Sequence, residues 1–530
     1  MKILLVAVNA KYIHSCPAVY ALRAYSGEYS QYVQIAEYTI NDRYEDILSG
    51  IMEAEADAIG FSCYIWNVEY TRHLIRDIRC ICNSTQPLLF AGGPEATNSP
   101  QEFLDMGADF IIRGEGERPF RDLAMLLVKG QNMWKNIAGL SWYERKENRN
   151  LLVDSPDQQP VSMDSLPFLY DNLAPFDNRI IYYESSRGCP FRCSYCLSSI
   201  DKSVRLRNMD TVKKELQFFL DHAVKQVKFV DRTFNCNHAH AMEIWRYIGE
   251  HDNGITNFHF EIGADIVSRE EISLLNTFRP GLVQMEIGVQ STNQKTIGEV
   301  NRTMDLERLT EVVNGIRRGN NINLHLDLIA GLPYEDYDRF AESFNEVYAM
   351  RANQFQLGFL KVLPGTVMYE KAESYGMVWS ERAPYEIYRT KWITYREICR
   401  LHEICDMLDL FYNSQQFIRT LPVLETHFRN PFEMYEQLAD FFRRKGYRKN
   451  IPAQKQRYEV LKEFAAEHAD ESGMAQIQEY LKFDFALHYN KSRHMTCIQV
   501  LDLGEGPTEY LFDYHKKNPL NAEADYHVQK

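Results

Sequence analysis

Short apolar runs alternate with amphipathic stretches over the first 113 residues of the chain. Four of these runs predict buried strands, at residues 1–8, 58–64, 87–91 and 109–113. Helical patterns lie between them, at residues 18–25, 69–81 and 100–106. Because strands and helices alternate, the pattern predicts an α/β domain, a parallel sheet with helices on both faces.

A second alternation begins near residue 180. Strand-like runs follow at residues 180–186, 227–231, 257–263, 282–289, 323–329 and 354–362. Amphipathic helical stretches separate them, for example at 212–222, 241–250 and 306–318. Six successive β/α units predict a barrel, and the active sites of barrels lie at the carboxyl ends of their strands.

From about residue 370 the pattern is mostly helical, at 385–410, 417–420 and 430–444, and two strands are predicted in the tail, at 494–501 and 509–515. The polar stretch 143–162 predicts a hairpin followed by a linker. We therefore divide the chain into four parts: an α/β domain at 1–140, a linker at 141–175, a barrel at 176–369 and a mainly helical carboxyl-terminal region at 370–530.

Composition narrows the class of protein. The chain has 530 residues, and 59 basic against 73 acidic side chains give a net charge of −14. No overall basic field therefore attracts nucleic acid or acidic lipid. The chain has no run of 18 apolar residues, and Asn9, Lys11 and His14 end the first apolar run too early for a signal peptide. We expect a cytoplasmic protein.

Eleven cysteines need an explanation other than disulfides, because the cytosol keeps thiols reduced. Three of them, Cys189, Cys193 and Cys196, lie within eight residues of each other. Seven others are scattered and are interpreted as small buried hydrophobic residues. These are Cys16, Cys63, Cys80, Cys82, Cys399, Cys405 and Cys497.

The three grouped cysteines follow a predicted strand directly, in Arg187-Gly188-Cys189-Pro190-Phe191-Arg192-Cys193-Ser194-Tyr195-Cys196. Three thiolates in a Cys-x3-Cys-x2-Cys spacing can hold three irons of a [4Fe–4S] cluster and leave the fourth iron open for S-adenosylmethionine (SAM). A zinc site is the alternative, but zinc takes four ligands. Cys236, His238 and His240 could supply one, although Asn235-Cys236-Asn237 also reads as the capped start of a helix.

Other segments of the barrel resemble the radical SAM family. Gly288-Val289-Gln290-Ser291, Asp327-Leu328-Ile329-Ala330-Gly331-Leu332-Pro333 and Leu363-Pro364-Gly365-Thr366 are similar to its fourth-, fifth- and sixth-strand signatures. The usual Gly-Gly-Glu after the second strand is replaced by Phe229-Val230-Asp231-Arg232-Thr233. The resemblance implies a partial (β/α)6 barrel of the TIM type. It also implies these SAM-binding residues: Tyr195, Asp231, Glu261, Gln290, Ser291, Asp327, Leu332 and Pro364.

The first domain resembles the cobalamin-binding, Rossmann-like domain that precedes many radical SAM barrels. Gly92-Gly93-Pro94 ends one strand, and Arg113-Gly114-Glu115-Gly116-Glu117 ends the next. The loop at 9–16 lacks the Asp-x-His-x-x-Gly motif of a cobalt-ligating histidine, so the alternatives are cobalt without a protein imidazole, His14 as ligand, or a domain that binds no cobalamin. The implied cobalamin-binding residues are Asn9, Lys11, Ser62, Tyr64, Gly92, Gly93, Pro94, Gly114, Glu115 and Gly116.

The combined resemblance, with an uncharacterised carboxyl-terminal region, implies a cobalamin-dependent radical SAM enzyme. Such an enzyme cleaves SAM reductively to a 5′-deoxyadenosyl radical and methylates an unactivated carbon through methylcobalamin. The alternatives are cyclisation, rearrangement or oxidative chemistry without methyl transfer, and a cobalamin or redox sensor. The resemblance further implies an electron donor such as flavodoxin or ferredoxin. The charge favours a small-molecule or peptide substrate over nucleic acid. The sequence identifies neither the substrate nor a catalytic acid or base.

Overall fold

Two parallel sheets, each joined by helices, make up most of the chain, and a helical region follows them. The computed structural model describes residues 1–82, 87–131, 133–146 and 149–488. The predicted tail strands at 494–501 and 509–515, together with Cys497, lie outside the described residues.

The amino-terminal sheet has seven strands in the order β2-β1-β3-β4-β5-β6-β7. Strands β1 to β5 are parallel, and β6 and β7 are antiparallel. The strands are β1 (Ile3–Asn9), β2 (Val33–Thr39), β3 (Ala58–Ser62), β4 (Leu88–Gly92), β5 (Phe110–Ile112), β6 (Leu140–Lys146) and β7 (Arg149–Asp154). The helices are α1 (Pro17–Tyr25), α2 (Tyr44–Glu53), α3 (Val68–Cys82), α4 (Pro94–Asn98), α5 (Pro100–Asp105) and α6 (Glu117–Val128).

Burial explains this layer structure. All seven residues of β1 are buried because the strand lies inside the sheet with helices on both faces. The predicted hairpin is β6 and β7, and it pairs with β5, so the amino-terminal sheet continues to Asp154. Strand β2 and helix α2 were not predicted from the sequence.

The central sheet has six parallel strands in the order β15-β14-β13-β12-β11-β8. These six strands match the six predicted ones. They are β8 (Ile181–Tyr183), β11 (Gln226–Phe229), β12 (Asn257–Ile262), β13 (Val283–Gln290), β14 (Asn323–Ala330) and β15 (Gln354–Phe359). Two short antiparallel strands, β9 (Ser186–Arg187) and β10 (Arg205–Leu206), follow β8. The helices are α7 (Met209–Asp221), α8 (His238–Glu250), α9 (Arg269–Leu275), α10 (Gln294–Glu299), α11 (Leu306–Arg317), α12 (Tyr337–Tyr348) and α13 (Val367–Lys371).

The two faces of this sheet differ in polarity. In β13 and β14 every second residue is buried and apolar, and the residues between them are partly exposed. Since successive side chains of a strand point to opposite faces, the apolar set packs under the helices and the other set lines the inside of the barrel. Among the lining residues are Glu286 and Asp327. The polar lining leaves the barrel interior suited to a polar ligand.

Up to residue 488, where the described part of the chain ends, the carboxyl-terminal part has two short strands and five helices. They are β16 (Val378–Trp379), β17 (Ile387–Arg389), α14 (Tyr395–Met407), α15 (Thr420–Glu425), α16 (Pro431–Lys445), α17 (Gln456–Ala466) and α18 (Glu471–His488). The mainly helical region is confirmed, but the prediction of a helix from residue 385 was wrong. The helix begins only at Tyr395, because Thr394 and Glu397 form a capping box there. Tyr385 itself has a φ of +58°, which a helix does not allow.

The amino-terminal domain contacts both edges of the open central sheet. At the β8 edge, His14 forms a bridge with Ile180. At the β15 edge, Oη of Tyr385 donates a buried hydrogen bond to Oε2 of Glu95 at 2.7 Å. The amino-terminal domain therefore lies across the opening between the first and the last strand. Within the residues that the structure describes, no helix is long and apolar enough to cross a membrane.

Candidate active site

The three grouped cysteines lie on one loop, residues 188–204, which we call the cluster loop. Strands β9 and β10 pair at its base, with Arg187 opposite Arg205. Gly188 has a φ of +98°, and a Cβ there would lie 2.1 Å from the carbonyl oxygen of Ser203. Only glycine allows the two ends of the loop to approach this closely. The backbone thus fixes where Cys189 enters the site.

The cysteine thiols are partly enclosed and have few polar neighbours. Cys189 and Cys193 are each 8% exposed. Sγ of Cys189 lies 3.7 Å from Oγ1 of Thr233, which follows β11. Nη1 of Arg302 donates to Sγ of Cys193 at 3.8 Å. Burial raises the pKa of the Cys193 thiol, and the Arg302 guanidinium opposes that shift.

Arg302 connects the cluster loop to the barrel. Its second terminal nitrogen donates to the carbonyl oxygen of Gly288 on β13. Burial alone would lower the pKa of Arg302, but Tyr195 and Cys193 hold it above its ordinary value. Tyr195 lies beside the same guanidinium, and burial raises the pKa of its phenol. A permanent positive charge therefore lies directly beside the cysteine thiols.

This donor set fits a cluster better than a single ion. In the part of the chain that the structure describes, no three His, Cys, Asp or Glu side chains lie close enough together to hold one metal ion. The cluster loop supplies three thiols, one fewer than the four ligands of a zinc site, whereas the three thiolates of a [4Fe–4S] site bind three different irons. The rival histidines have other partners, because Nδ1 of His238 lies 3.0 Å from Glu271 and Nε2 of His240 lies 3.1 Å from Oγ of Ser185. The side chain of Asn237 accepts from the backbone N–H of His240, so the interpretation as a helix start is confirmed.

Charged side chains line the barrel next to this loop. Nζ of Lys228 lies 3.7 Å from Glu261 and 3.2 Å from Glu286. Nε2 of His259 lies 3.2 Å from Glu286, and Nε2 of His325 lies 3.2 Å from Asp327. Four neighbouring strands, β11 to β14, therefore bring their polar side chains into one interior space.

The ionisation of this interior is strongly perturbed. His259, and then Lys228, lower the pKa of Glu286 to about 2 despite its burial. Burial, with the charges of Glu286 and Glu261, raises the pKa of Asp327 to about 8. Burial also lowers the pKa of His325. At neutral pH the interior thus holds one firmly ionised carboxylate beside a carboxyl group that keeps its proton, the kind of separation found at functional sites.

The predicted SAM-binding residues fall into two groups in the structure. Tyr195, Glu261, Gln290 and Asp327 lie at the cluster loop or on the barrel lining. Gln290 has a φ of +72°, which ends β13 in a sharp turn. These four residues are brought together around one interior space, and their contact with SAM stays a prediction.

The other predicted SAM residues have different surroundings. The carboxylate of Asp231 is fully buried and accepts from the backbone N–H and hydroxyl of Ser185 and from the hydroxyl of Ser186. Ser291 is also fully buried, and its hydroxyl donates to Glu335. Leu332 is 0% exposed. Pro364 lies in the turn before α13. Contact of these four residues with SAM also stays a prediction.

Four predicted cobalamin-binding residues lie at the carboxyl ends of β1 and β3 or just after them. Asn9 is 4% exposed and donates to Glu37, whereas Lys11 is exposed. Oγ of Ser62 accepts from the thiol of Cys16. Tyr64 stacks on Trp66, with ring centroids 4.6 Å apart and 3° between the planes. Because these strands are parallel, all four residues lie at the same edge of the sheet, and their contact with cobalamin remains a prediction.

Glycines end the next two strands at this edge. Gly93 has a φ of +107°, and a Cβ there would lie 2.5 Å from the carbonyl oxygen of Cys63. Gly92 ends β4 and Pro94 begins α4. Gly114 has a φ of +67° and open space where a Cβ would be. Gly93 is therefore required by its contact with the Cys63 backbone, whereas the open space at Gly114 fits the close approach of a large planar group such as a corrin.

Glu115 lies at the boundary with the barrel instead, and its neighbour Gly116 packs against α1 of its own domain. The Glu115 carboxylate pairs with Arg205 and accepts from the backbone N–H of Val161 at 2.9 Å. Burial alone would raise the pKa of Glu115, but Arg205 and that N–H hold it below its ordinary value. A Cβ on Gly116 would lie 3.0 Å from Leu22. Cobalamin contact by either residue stays a prediction.

His14 likewise lies at this boundary. Its Nδ1 and Oη of Tyr182 are 2.6 Å apart. Burial lowers the pKa of His14, and Lys11 adds to that shift. The imidazole therefore already has a partner in the barrel. Ligation of cobalt by His14 stays a prediction.

Comparisons with known proteins agree with this architecture. Residues 3–124 match the family model of the B12 binding domain, and residues 183–347 match that of the radical SAM superfamily. The chain therefore carries a cobalamin-binding domain followed by a radical SAM domain, which confirms the predicted family, fold and cofactor classes. Residues 373–521 match a third model, described as a protein of unknown function, DUF4080.

Curated relatives align with somewhat less than two thirds of the chain. An uncharacterized methyltransferase of Pyrococcus horikoshii is 25% identical over 353 residues, which are 62% of this chain and 72% of the relative. The cobalamin-dependent radical SAM methyltransferase TokK of Streptomyces tokunonensis is 24% identical over 375 residues, 63% of this chain. The aligned part covers 51% of TokK, about half of its length.

Solved structures share the fold. The cobalamin-dependent SAM radical enzyme OxsB, with aqua-cobalamin bound, superposes with a TM-score of 0.61 at 15% identity. The match covers 97% of this chain and 83% of OxsB. The radical SAM methyltransferase TsrM of Kitasatospora setae, with cobalamin and a [4Fe–4S] cluster bound, gives a TM-score of 0.58 at 18% identity and covers 73% and 82% of the two chains.

Proposed function

We propose that this protein is a cobalamin-dependent radical SAM methyltransferase that acts on a small molecule. The observation that carries the proposal is the position of the cluster loop. This loop lies beside the polar interior of the barrel, and a B12-binding domain lies across the open side of the same barrel. When bound, the cluster supplies reductive cleavage of SAM, and cobalamin supplies transfer of a methyl group to an unactivated carbon.

The residues of the chain have separate tasks in this proposal. Cys189, Cys193 and Cys196 bind three irons. Arg302 neutralises thiolate charge at Cys193 and fixes the loop to β13. The charged lining around Asp327 orients SAM or the substrate within the barrel.

Methyl transfer is favoured over other radical chemistry by the relatives. TokK and the Pyrococcus horikoshii protein are both described as methyltransferases, and TsrM is a methyltransferase that shares the fold. Most elements after α13 belong to the DUF4080 region, residues 373–521, and we infer that this region supplies the contacts that select the substrate. An electron donor of the flavodoxin or ferredoxin class completes the proposal, since reductive cleavage consumes an electron.

The test uses anaerobically reconstituted protein with dithionite, hydroxocobalamin and methyl-labelled SAM. We expect 5′-deoxyadenosine, and separately label on cobalamin together with S-adenosylhomocysteine. The C193A variant should abolish 5′-deoxyadenosine but retain cobalamin, and C405A, a cysteine on α14, should retain both. No 5′-deoxyadenosine from the wild type would refute radical chemistry. 5′-Deoxyadenosine without label on cobalamin would refute methyl transfer and favour the other radical reactions.

A further inference from the structure

The boundary between the cobalamin-binding domain and the cluster loop is built from charged residues. On one side is the loop after β5, residues 114–117, which we call the junction loop. On the other side are Arg187 and Arg205, which face each other at the base of the cluster loop. The junction loop presents two carboxylates to these two guanidinium groups.

Arg187 is the centre of this network. Its Nη2 lies 2.8 Å from Oε1 of Glu117 and 2.8 Å from Oε2 of Glu184, and its Nη1 lies 3.5 Å from Glu115. Glu117 is 8% exposed and Arg187 is 21% exposed at the side chain. The pair is thus partly shielded from water. Charges in such surroundings interact more strongly than charges at the surface. Although burial opposes it, Glu184 and Glu117 hold the pKa of Arg187 above its ordinary value.

Arg187 lies directly before the cluster loop in the sequence. Only Gly188 separates Arg187 from Cys189, and the backbone at Gly188 is constrained by Ser203. Glu117 is both the last residue of the junction loop and the first residue of α6. One ion pair therefore connects the entry of the cluster loop to the sheet edge where the cobalamin-binding domain presents its glycines.

We propose that Arg187 and Glu117 are positioning residues whose ion pair fixes the cluster loop against the cobalamin-binding domain and thereby sets the separation of the two cofactors. The consequence for catalysis rests on the proposed function. The ion pair itself belongs to the chain, so it can be tested without turnover. The role of the ion pair and the proposed catalytic activity are therefore measured separately.

The test measures the distance from the reduced cluster to a Gd(III) chelate by pulsed electron paramagnetic resonance, because the chelate survives the reductant that the cluster needs. Cys80 on α3 is exposed and carries the chelate. The other cysteines outside the cluster loop that could react are replaced by serine, namely Cys82, Cys236, Cys399, Cys405 and Cys497. We expect the E117Q variant to assemble a full cluster but to give a distance distribution at least twice as wide as that of the parent protein. The E117D variant, which retains the carboxylate, should narrow it again.

The matched control is D252N. Asp252 makes a two-pronged ion pair with Arg279 of similar exposure, but both residues lie within the barrel. This variant should leave the distance distribution unchanged. An E117Q distribution as narrow as that of the parent would overturn the proposal, as would equal broadening in D252N.

A second measurement needs no cofactor. Amide hydrogen exchange of the unloaded chain should increase at least tenfold in E117Q at residues 114–128 and 188–200, and not in D252N. Unchanged exchange in both segments would overturn the proposal. If the wild-type protein assembles no cluster, the proposed function fails and this exchange measurement alone decides about the ion pair.

Discussion

Removing the Arg302 guanidinium should make the cluster harder to reduce. Nη1 of Arg302 lies 3.8 Å from Sγ of Cys193, so its positive charge stabilises the added electron. Two unit charges about 4 Å apart interact by about 4 kcal/mol at an effective dielectric constant of about 20. The added electron is spread over the cluster beyond the sulfur, on the order of 8 Å away, which halves this energy to about 2 kcal/mol.

That energy converts into a shift of reduction potential. For a one-electron couple, 59 mV corresponds to about 1.4 kcal/mol, so the Arg302→Met variant should have a potential lower by roughly 90 mV. The measurement is a redox titration of the reconstituted protein, followed by the electron paramagnetic resonance signal of the reduced cluster.

Two variants control for lost structure. Arg302→Lys keeps the charge and should stay within about 30 mV of the wild type, since the ammonium remains near the sulfur. Arg279→Met removes an arginine elsewhere in the barrel and should not change the potential. A wild-type potential in Arg302→Met at full iron content would refute the assigned role of the charge.

Three further outcomes follow from the barrel. Gly188→Ala should reconstitute with less than half of the wild-type iron, because its Cβ would collide with the backbone of Ser203. Gly254→Ala, at a φ of +75° and in open space, should bind the full amount of iron, and equal iron in the two variants would contradict the assigned role of Gly188. Glu215→Ala should lower the free energy of unfolding in urea by about 3 kcal/mol, since it leaves the buried Arg207 without its carboxylate partner. A loss below about 1 kcal/mol would argue against a stabilising role of this ion pair. Burial raises the pKa of Asp231 to about 6. Stability is therefore lost as pH rises from about 4 to about 6, and the loss levels off above the folded pKa. Asp231→Asn should remove about 1 kcal/mol of the stability difference between pH 5 and pH 7, and an unchanged difference would disprove the raised pKa of Asp231.

Much of this fold could be predicted because its strands are buried on both faces or alternate cleanly. The six strands of the barrel are apolar on the face under the helices, which makes them visible as patterns. Strand β2 escaped detection because it is an edge strand with one buried residue in seven. The segment around Tyr385 was misassigned, because its contacts are with β15 and Glu95, far away in sequence.

The site shows the same division between local and distant information. The three cysteines are close in sequence, so their chemistry could be predicted from spacing alone. The role of Arg302 could not be predicted, because nothing near it in the chain marks it. Arg302 contacts Cys193 only in the folded structure, since the two residues are 109 positions apart in the sequence. The resemblance implies Glu115 as a cobalamin contact, which stays a prediction, and its pairing with Arg205, a contact between two domains, could not be predicted from the sequence.

The most direct test of the account is whether SAM binds the iron that the cysteines leave free. Electron–nuclear double resonance of the reduced, reconstituted protein, with SAM carrying ¹⁵N at its amino group, reports this contact. We expect a ¹⁵N hyperfine coupling to the cluster that is lost in Cys193→Ala. A fully assembled cluster that shows no coupling to labelled SAM would contradict the central claim.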